Sequence, residues 1–102
     1  MVLVYIPCSS EQEAKKIAQV LLEKSFIGSA HITSSSTLSK QEDDIVELQE
    51  YILITQTTKE LSGFIKTEVE KIHSYDLPCI IEIDVKANRA YKEWLSSVIC
   101  TV

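Results

Sequence analysis

Cysteine and histidine side chains are the residues of this chain best suited to chemistry. The 102 residues contain three cysteines, Cys8, Cys79 and Cys100, and two histidines, His31 and His73. An odd number of widely spaced cysteines does not indicate a disulfide framework. Thiolate and imidazole groups instead suit copper or zinc. Since there is no Cys-x-x-Cys or His-x-x-x-His pair, the fold would have to assemble any metal site.

Catalytic motifs are missing from the sequence. No Ser, Cys or Asp stands in a recognisable nucleophile motif beside either histidine. With only two glycines, Gly28 and Gly63, a phosphate-binding glycine loop is excluded. We therefore expect that the protein is not an enzyme.

Composition limits the class of protein and its partners. Hydrophobic residues at 45% and charged residues at 25% are ordinary for a globular protein, and the length predicts one domain over residues 1–102. A net charge of −5 with scattered basic residues argues against nucleic acid as a partner. The apolar run Val2 to Ile6 is too short for a membrane span or a signal peptide. We expect no membrane partner and a cytoplasmic location, or an organelle if a targeting segment has been removed.

The first half of the chain predicts a strand, a helix and a second strand. Val2 to Ile6 is a β-branched and aromatic run typical of a central strand, which Pro7 is expected to close. Ser10 and Glu13 form a capping box at the start of an amphipathic helix. The Ser- and Thr-rich segment from Ser29 is either a loop or an edge strand. We favour a strand to about Leu38, because so long a structureless connection is unusual in a compact domain.

The second half predicts a strand, a helix, a strand and a last helix. An acidic turn, 41–44, leads into a central strand, 45–55, and Thr57 with Glu60 suggests a second capping box. We expect the buried face of that helix to comprise Leu61, Phe64, Ile65, Val69 and Ile72. After Pro78, alternating residues 81–85 indicate a strand. Asn88 is placed to cap a final helix, whose apolar stripe is Tyr91, Trp94, Leu95 and Val98.

This order of elements predicts the architecture. Two right-handed crossovers that each leave room for one strand give a four-stranded antiparallel sheet with both crossover helices on one face. The fold class is therefore α+β, a ferredoxin-like sandwich of order β1 α1 β2 β3 α2 β4 with a C-terminal helix α3. The other sheet face stays uncovered and apolar, which favours self-association.

The predicted topology also brings candidate metal ligands together. The end of the first strand and the start of the fourth lie at one edge of the sheet, where the second helix also ends. Cys8, Cys79 and His73 should meet there, and they are our candidate ligands for a divalent copper or zinc ion. The alternative is structural: buried thiols, and a histidine that interacts favourably with a helix C-terminus.

The C-terminal third resembles a known family. The order His73, Tyr75, Asp76, Pro78, a strand, then Asn88, Tyr91, Trp94 and Leu95 is similar to the second half of the CutA family, the divalent-cation tolerance proteins. Most of the chain follows the family pattern, although a Tyr-x-Trp-x-Gly-Lys hairpin motif of the family is replaced by Leu38-Ser39-Lys40-Gln41.

The resemblance implies an assembly, a function and a site. It implies a homotrimer with sheets packed around a threefold axis, metal ion tolerance, and copper binding at His73. It also implies a cleft between subunits bordered by Tyr75, Asp76, Tyr91 and Trp94. A PII-like signalling module that binds a small molecule at those clefts is the alternative function, and a structural trimer that anchors another protein is a third.

Overall fold

The computed structural model describes residues 1–101. Its elements follow the predicted order, β-α-β-β-α-β-α. They are β1 (Val2–Cys8), α1 (Glu11–Glu23), β2 (Ser29–Gln41), β3 (Asp44–Thr57), α2 (Lys59–Ile72), β4 (Ile81–Asp84) and α3 (Arg89–Val98). Within residues 1–101, no helix is long and apolar enough to cross a membrane.

The four strands form one antiparallel sheet in the order β2-β3-β1-β4. In the central pair Ile6 lies opposite Leu53, and on the other side of β1 the residue Tyr5 lies opposite Ile81. The ferredoxin-like α+β sandwich that the sequence predicts is confirmed.

The core lies between the sheet and the helices α1 and α2. Strand alternation directs Val4 and Ile6 towards the helices, and both are fully buried. The helices contribute buried residues at helical spacing: Ala14, Ile17, Ala18, Leu21, Ile65 and Val69. One apolar cluster therefore joins both helices to the central strands.

Pro7 does not end β1, contrary to our expectation. The strand continues to Cys8, with Pro7 opposite Ile52 of β3. Strand β4 pairs with β1 only between Val2 and Tyr5, so β1 has a neighbour on one side only at Pro7. A proline without an N–H is tolerated at such an edge.

The capping box predicted at Ser10 and Glu13 is confirmed for the Ser10 hydroxyl, whereas the one predicted at Thr57 and Glu60 is wrong. The Ser10 hydroxyl accepts the Glu13 N–H at 3.1 Å. Helix α2, however, has Thr58 as its N-cap residue, without a side-chain cap bond. Thr57 is the last residue of β3, and its hydroxyl donates to the Phe26 carbonyl at 2.6 Å. Thr57 therefore fastens β3 to the segment that follows α1.

Phe64 is not part of the buried face of α2. It is 50% exposed, and its ring lies 5.9 Å from that of Phe26, centroid to centroid. Helical spacing therefore predicted burial of the Phe64 side chain, and that prediction is wrong.

Strands β2 and β3 form a long hairpin. They pair from Ser29 and Gln56 to Gln41 and Asp44, beyond the predicted end at Leu38. The molecule is consequently elongated, measuring 46 × 26 × 20 Å. The two-residue connection contains Glu42 with a φ of 55°, and Ser25 after α1 has a φ of 58°.

We call the sheet surface opposite α1 and α2 the open face. Tyr5 and Ile54 lie on it, half-buried, while Ile81 and Ile83 of β4 are 46% and 42% exposed. Helix α3 covers one end of this face, where the Tyr91 hydroxyl donates to the side-chain oxygen of Gln56. Much of the open face is therefore apolar and uncovered.

Candidate functional site

Cys8, Glu13 and His73 come together at one end of the sheet. Cys8 is the last residue of β1, Glu13 lies in the first turn of α1, and His73 directly follows α2. One ligand atom from each residue lies within 4.8 Å of the others. The topology argument thus placed Cys8 and His73 together correctly, and we call the three residues the Cys8–Glu13–His73 cluster.

His73 uses both ring nitrogens. Its Nδ1 accepts the Tyr75 N–H at 3.0 Å, and its Nε2 lies 2.8 Å from the Pro7 carbonyl oxygen. Since Nδ1 is an acceptor, Nε2 carries the proton and donates it to Pro7. The side chain is fully buried, and Nδ1 is 4.0 Å from Glu13 Oε2.

Glu13 is a member of the cluster that the sequence analysis assigned only to helix capping. Its Oε1 accepts the Ser9 N–H at 2.9 Å and the Ser9 hydroxyl at 3.0 Å, and its Oε2 accepts the Ser74 N–H at 2.7 Å. Burial alone would raise the pKa of this carboxyl, but the hydrogen bonds from Ser9 and Ser74 outweigh it and lower the pKa to about 2. The carboxylate thus returns to Ser9, not to Ser10 as a capping box would require.

Cys8 is a protonated thiol in this environment. It is fully buried, and Sγ donates to the Ile6 carbonyl at 3.5 Å. Burial, followed by the charges of Glu13 and Glu50, raises the pKa of the thiol to about 12. A cation bound here would offset the negative charges of Glu13 and Glu50.

The donor types of the cluster fit zinc or copper. One thiol, one imidazole and one carboxylate are common ligands of Zn²⁺, and three protein ligands leave a position open. To bind a metal ion, His73 Nδ1 must give up its hydrogen bond from the Tyr75 N–H, and the Cys8 thiol must lose its proton. These residues can hold a cation, with competition from their own hydrogen bonds.

Cys79 lies elsewhere, in a cavity on the open face. It is an exposed, free cysteine outside the Cys8–Glu13–His73 cluster. The cavity measures about 470 Å³ and is also lined by Glu50 and Tyr75. The Tyr75 hydroxyl donates to Glu50 Oε2 at 2.9 Å, and burial, followed by this bond, raises the pKa of Tyr75 to about 12. We call this space the Glu50 cavity.

Tyr75 links the cluster to the Glu50 cavity. Its backbone N–H is held by His73, and the two rings lie 4.8 Å apart, centroid to centroid. Its hydroxyl reaches Glu50 on the open face. The sequence could not have shown this link, because Glu50 is distant in sequence and belongs to no motif.

The predicted cleft residues divide into two groups within one chain. Tyr75 and the exposed Asp76 lie near the Glu50 cavity. The Tyr91 and Trp94 rings pack against each other on α3, tilted by 40° with their centroids 5.2 Å apart, and the Tyr91 hydroxyl donates to Gln56 at the far end of β3. Glu50 and Gln56 are six positions apart along β3, roughly 20 Å. One chain therefore does not join the four into one site.

Comparison with known proteins identifies relatives along almost the full chain. The family model described as CutA1 divalent ion tolerance protein matches residues 2–98. The divalent-cation tolerance protein CutA of Archaeoglobus fulgidus is 33% identical over 99 residues, which cover 97% of this chain and 95% of that protein. The CutA of Pyrococcus horikoshii is 31% identical over 96 residues, which cover 93% of this chain and 94% of the relative.

A solved structure shows the same architecture. The crystal structure of CutA1 from Pyrococcus horikoshii superposes with a TM-score of 0.94 at 29% identity, covering 99% of this chain and 100% of that one. The similarity therefore includes the long hairpin and α3 as well as the four-stranded sheet.

Proposed function

Because this chain belongs to the CutA1 divalent ion tolerance protein family, we propose that it is a cytosolic homotrimer that binds copper or zinc and contributes to metal ion tolerance. The resemblance noted in the sequence is thereby confirmed at the level of the family. The family is named for tolerance and not for a reaction, which agrees with the lack of catalytic motifs.

The observation that carries the proposed cation binding is the Cys8–Glu13–His73 cluster. It is the group of metal-type donors that residues 1–101 bring within 4.8 Å of one another. The geometry favours Glu13 over Cys79 as the third ligand, because Cys79 lies outside the cluster. These three side chains would hold a bound ion at the junction of β1, α1 and α2.

The open face supports the proposed trimer. Ile81 and Ile83 are more than two-fifths exposed and adjoin the half-buried Tyr5 and Ile54. An apolar sheet surface of this kind is typically covered by another layer. Packing of identical copies around a threefold axis would cover it, as the family resemblance implies.

Calorimetric titration with Zn²⁺ tests the proposed site. We expect His73→Gln and Cys8→Ser to weaken Zn²⁺ binding at least tenfold, because each removes a ligand. His31→Gln and Cys100→Ser are matched controls outside the cluster and should bind as the parent does. Co²⁺ absorption provides a second readout, since a thiolate ligand gives an absorption band that Cys8→Ser should remove. Equal Zn²⁺ binding by the parent and both cluster variants would contradict this assignment.

The Glu50 cavity favours a second candidate function. A PII-like module, the same trimer, would bind a small molecule at its subunit clefts and pass that state to a partner protein. The cavity of about 470 Å³ lies within the size range of small-molecule sites. Thermal stabilisation by a metabolite, without Zn²⁺ binding, would favour this function over the first.

A further inference from the structure

We propose that Tyr75 senses metal occupancy of the Cys8–Glu13–His73 cluster, because a cation on His73 displaces the Tyr75 N–H from its acceptor. This inference rests on the proposed metal binding and deepens it by naming a residue that regulates the site. The cluster is formed by residues of one chain, on the side of the sheet that carries α1 and α2. The inference therefore does not require an uncovered open face.

His73 offers a cation a single lone pair. Nε2 carries the proton that is donated to the Pro7 carbonyl oxygen, 2.8 Å away, so Nδ1 is the nitrogen that can bind an ion. Nδ1 lies 4.0 Å from Glu13 Oε2, a second candidate ligand atom. It is also the atom that accepts the Tyr75 N–H at 3.0 Å. Because an imidazole nitrogen has one lone pair, the cation and the Tyr75 N–H exclude each other at Nδ1.

Glu13 does not impose the same exclusion. Its Oε2 accepts the Ser74 N–H at 2.7 Å, but a carboxylate oxygen has two lone pairs and can hold an ion and an N–H together. A cation in the cluster therefore displaces the Tyr75 amide and leaves the Ser74 amide bonded. Two neighbouring amides thus respond differently to the same ion.

Tyr75 connects this displacement to the open face. It lies in a segment, residues 73–80, that forms no helix or strand, so it can move without breaking the sheet. Its ring packs 4.8 Å from that of His73, centroid to centroid, and its hydroxyl donates to Glu50 Oε2 at 2.9 Å. Moving the Tyr75 backbone weakens this bond to Glu50. Since coupling between two interactions is reciprocal, the Tyr75–Glu50 bond opposes cation binding to the same degree.

Amide hydrogen exchange, resolved by residue with NMR, tests the displacement on the full-length protein with and without saturating Zn²⁺. We expect exchange of the Tyr75 amide to accelerate about tenfold, because it loses its acceptor. The Ser74 amide is the matched control in the same segment and should exchange as it does without Zn²⁺. The His73 amide, which donates to the Val69 carbonyl at 2.9 Å, should also be unchanged.

Tyr75→Phe tests the coupling. This variant keeps the backbone N–H and the aromatic ring, and it removes the hydroxyl whose bond to Glu50 opposes displacement. Calorimetric titration should show Zn²⁺ binding roughly three- to tenfold tighter than in the parent. Tyr51→Phe removes a hydroxyl from another half-buried tyrosine, and it should leave the Zn²⁺ affinity unchanged.

Several outcomes would overturn the inference. A Tyr75 amide that stays protected while Zn²⁺ binds, or equal acceleration at Ser74 and Tyr75, refutes the selective displacement. Unchanged or weaker Zn²⁺ binding by Tyr75→Phe refutes the coupling.

The same titrations separate this inference from the proposed function. A parent that binds Zn²⁺, loses that binding in Cys8→Ser and keeps its Tyr75 amide protected refutes the sensing role alone. A parent that binds no Zn²⁺ refutes the proposed metal binding, and the sensing role with it.

Discussion

At the residue scale, Glu13 connects two parts of the chain that are far apart in sequence. Its oxygens accept hydrogen bonds from Ser9 before α1 and from Ser74 after α2. The sequence pattern identified Glu13 correctly as a residue of the helix start, but a capping pattern is local and carries no information about Ser74.

Cys79 was expected in the Cys8–Glu13–His73 cluster because β4 was expected to begin near it. Strand β4 begins only at Ile81, so strand pairing does not carry Cys79 to the cluster.

Replacing Glu13 with Gln should destabilise the protein by about 1–3 kcal/mol, because hydrogen bonds to a charged acceptor are replaced by weaker ones. The folded pKa of about 2 lies below the ordinary value of 4.5. The ionised carboxylate therefore stabilises the fold above about pH 4.5, and this contribution is lost as the pH falls towards 2. Urea unfolding at pH 7 and pH 3, at one protein concentration, measures both effects.

Glu11→Gln is the control for this experiment. Glu11 lies in the same helical turn but forms only an exposed ion pair with Lys15, which is worth little. A Glu13→Gln variant whose stability matches that of Glu11→Gln at pH 7 would contradict the role assigned to Glu13.

Replacing Tyr75 with Phe tests the link between the cluster and the Glu50 cavity. The hydroxyl is the one side-chain donor to the buried Glu50 carboxylate within residues 1–101. We expect a loss of about 1–3 kcal/mol, because a buried acceptor is left unsatisfied. Tyr51→Phe removes a hydroxyl from a half-buried tyrosine that forms no side-chain hydrogen bond in the described chain. Urea unfolding should show Tyr51→Phe close to the parent, and equal losses in both variants would count against the link.

At the scale of elements, helix α3 depends on the absence of a side chain at Gly28. A Cβ atom there would overlap Leu95 Cδ1 and lie 3.3 Å from the Trp94 ring. Leu95 is the buried residue of α3. The sequence predicted the apolar stripe of α3 from its spacing, but its packing partner was not predictable, because a glycine gives no apolar signal.

Gly28→Ala should therefore loosen α3 and destabilise the protein by about 1–3 kcal/mol through overpacking. Gly63→Ala is the opposite control: nothing lies within 4 Å of a Cβ at that exposed helical position. We expect it to stabilise the protein by about 0.5–1 kcal/mol, since alanine favours a helix. Hydrogen exchange of the α3 amides and thermal unfolding measure both changes, and faster exchange confined to other elements in Gly28→Ala would contradict this account.

The observed ends of the elements differ from the predicted ends where long-range contacts outweigh local sequence patterns. The type and order of all seven elements were predictable, because hydrophobic periodicity changes at each connection. Strand β3 extends two residues past its predicted end because Gln56 and Thr57 pair with β1. That extension also moves the start of α2 and removes Thr57 from its predicted role as a cap.

At the scale of the whole molecule, the open face is the surface through which we propose that identical copies associate. The crossover rules predicted the sheet order and the side on which α1 and α2 lie, and both follow from the sequence of elements. They did not predict that α3 covers the Gln56 end of the opposite side. Side-chain hydrogen bonds between distant elements are not specified by periodicity.

Ile83→Glu should separate the proposed trimer into folded monomers, because it places a charge on the open face beside Leu3. Leu22→Glu is the matched control, since Leu22 is 43% exposed and Ile83 is 42% exposed, while Leu22 lies on α1, on the other side of the sheet. Analytical ultracentrifugation at micromolar concentration should show the parent and Leu22→Glu as trimers. A parent that sediments as a monomer, or an Ile83→Glu variant that stays trimeric, would show that this surface is not the interface.

The left-handed backbone at Ser25 and Glu42 has a consequence for engineering. Both residues adopt a positive φ, a conformation that disfavours most side chains and is relieved by glycine or asparagine. Neither position lies in the cluster, in the Glu50 cavity or among the exposed isoleucines of β4. Stability can therefore be raised at Ser25 and Glu42 without changing the residues that we propose to bind a ligand, and asparagine at these two positions is the first substitution to test.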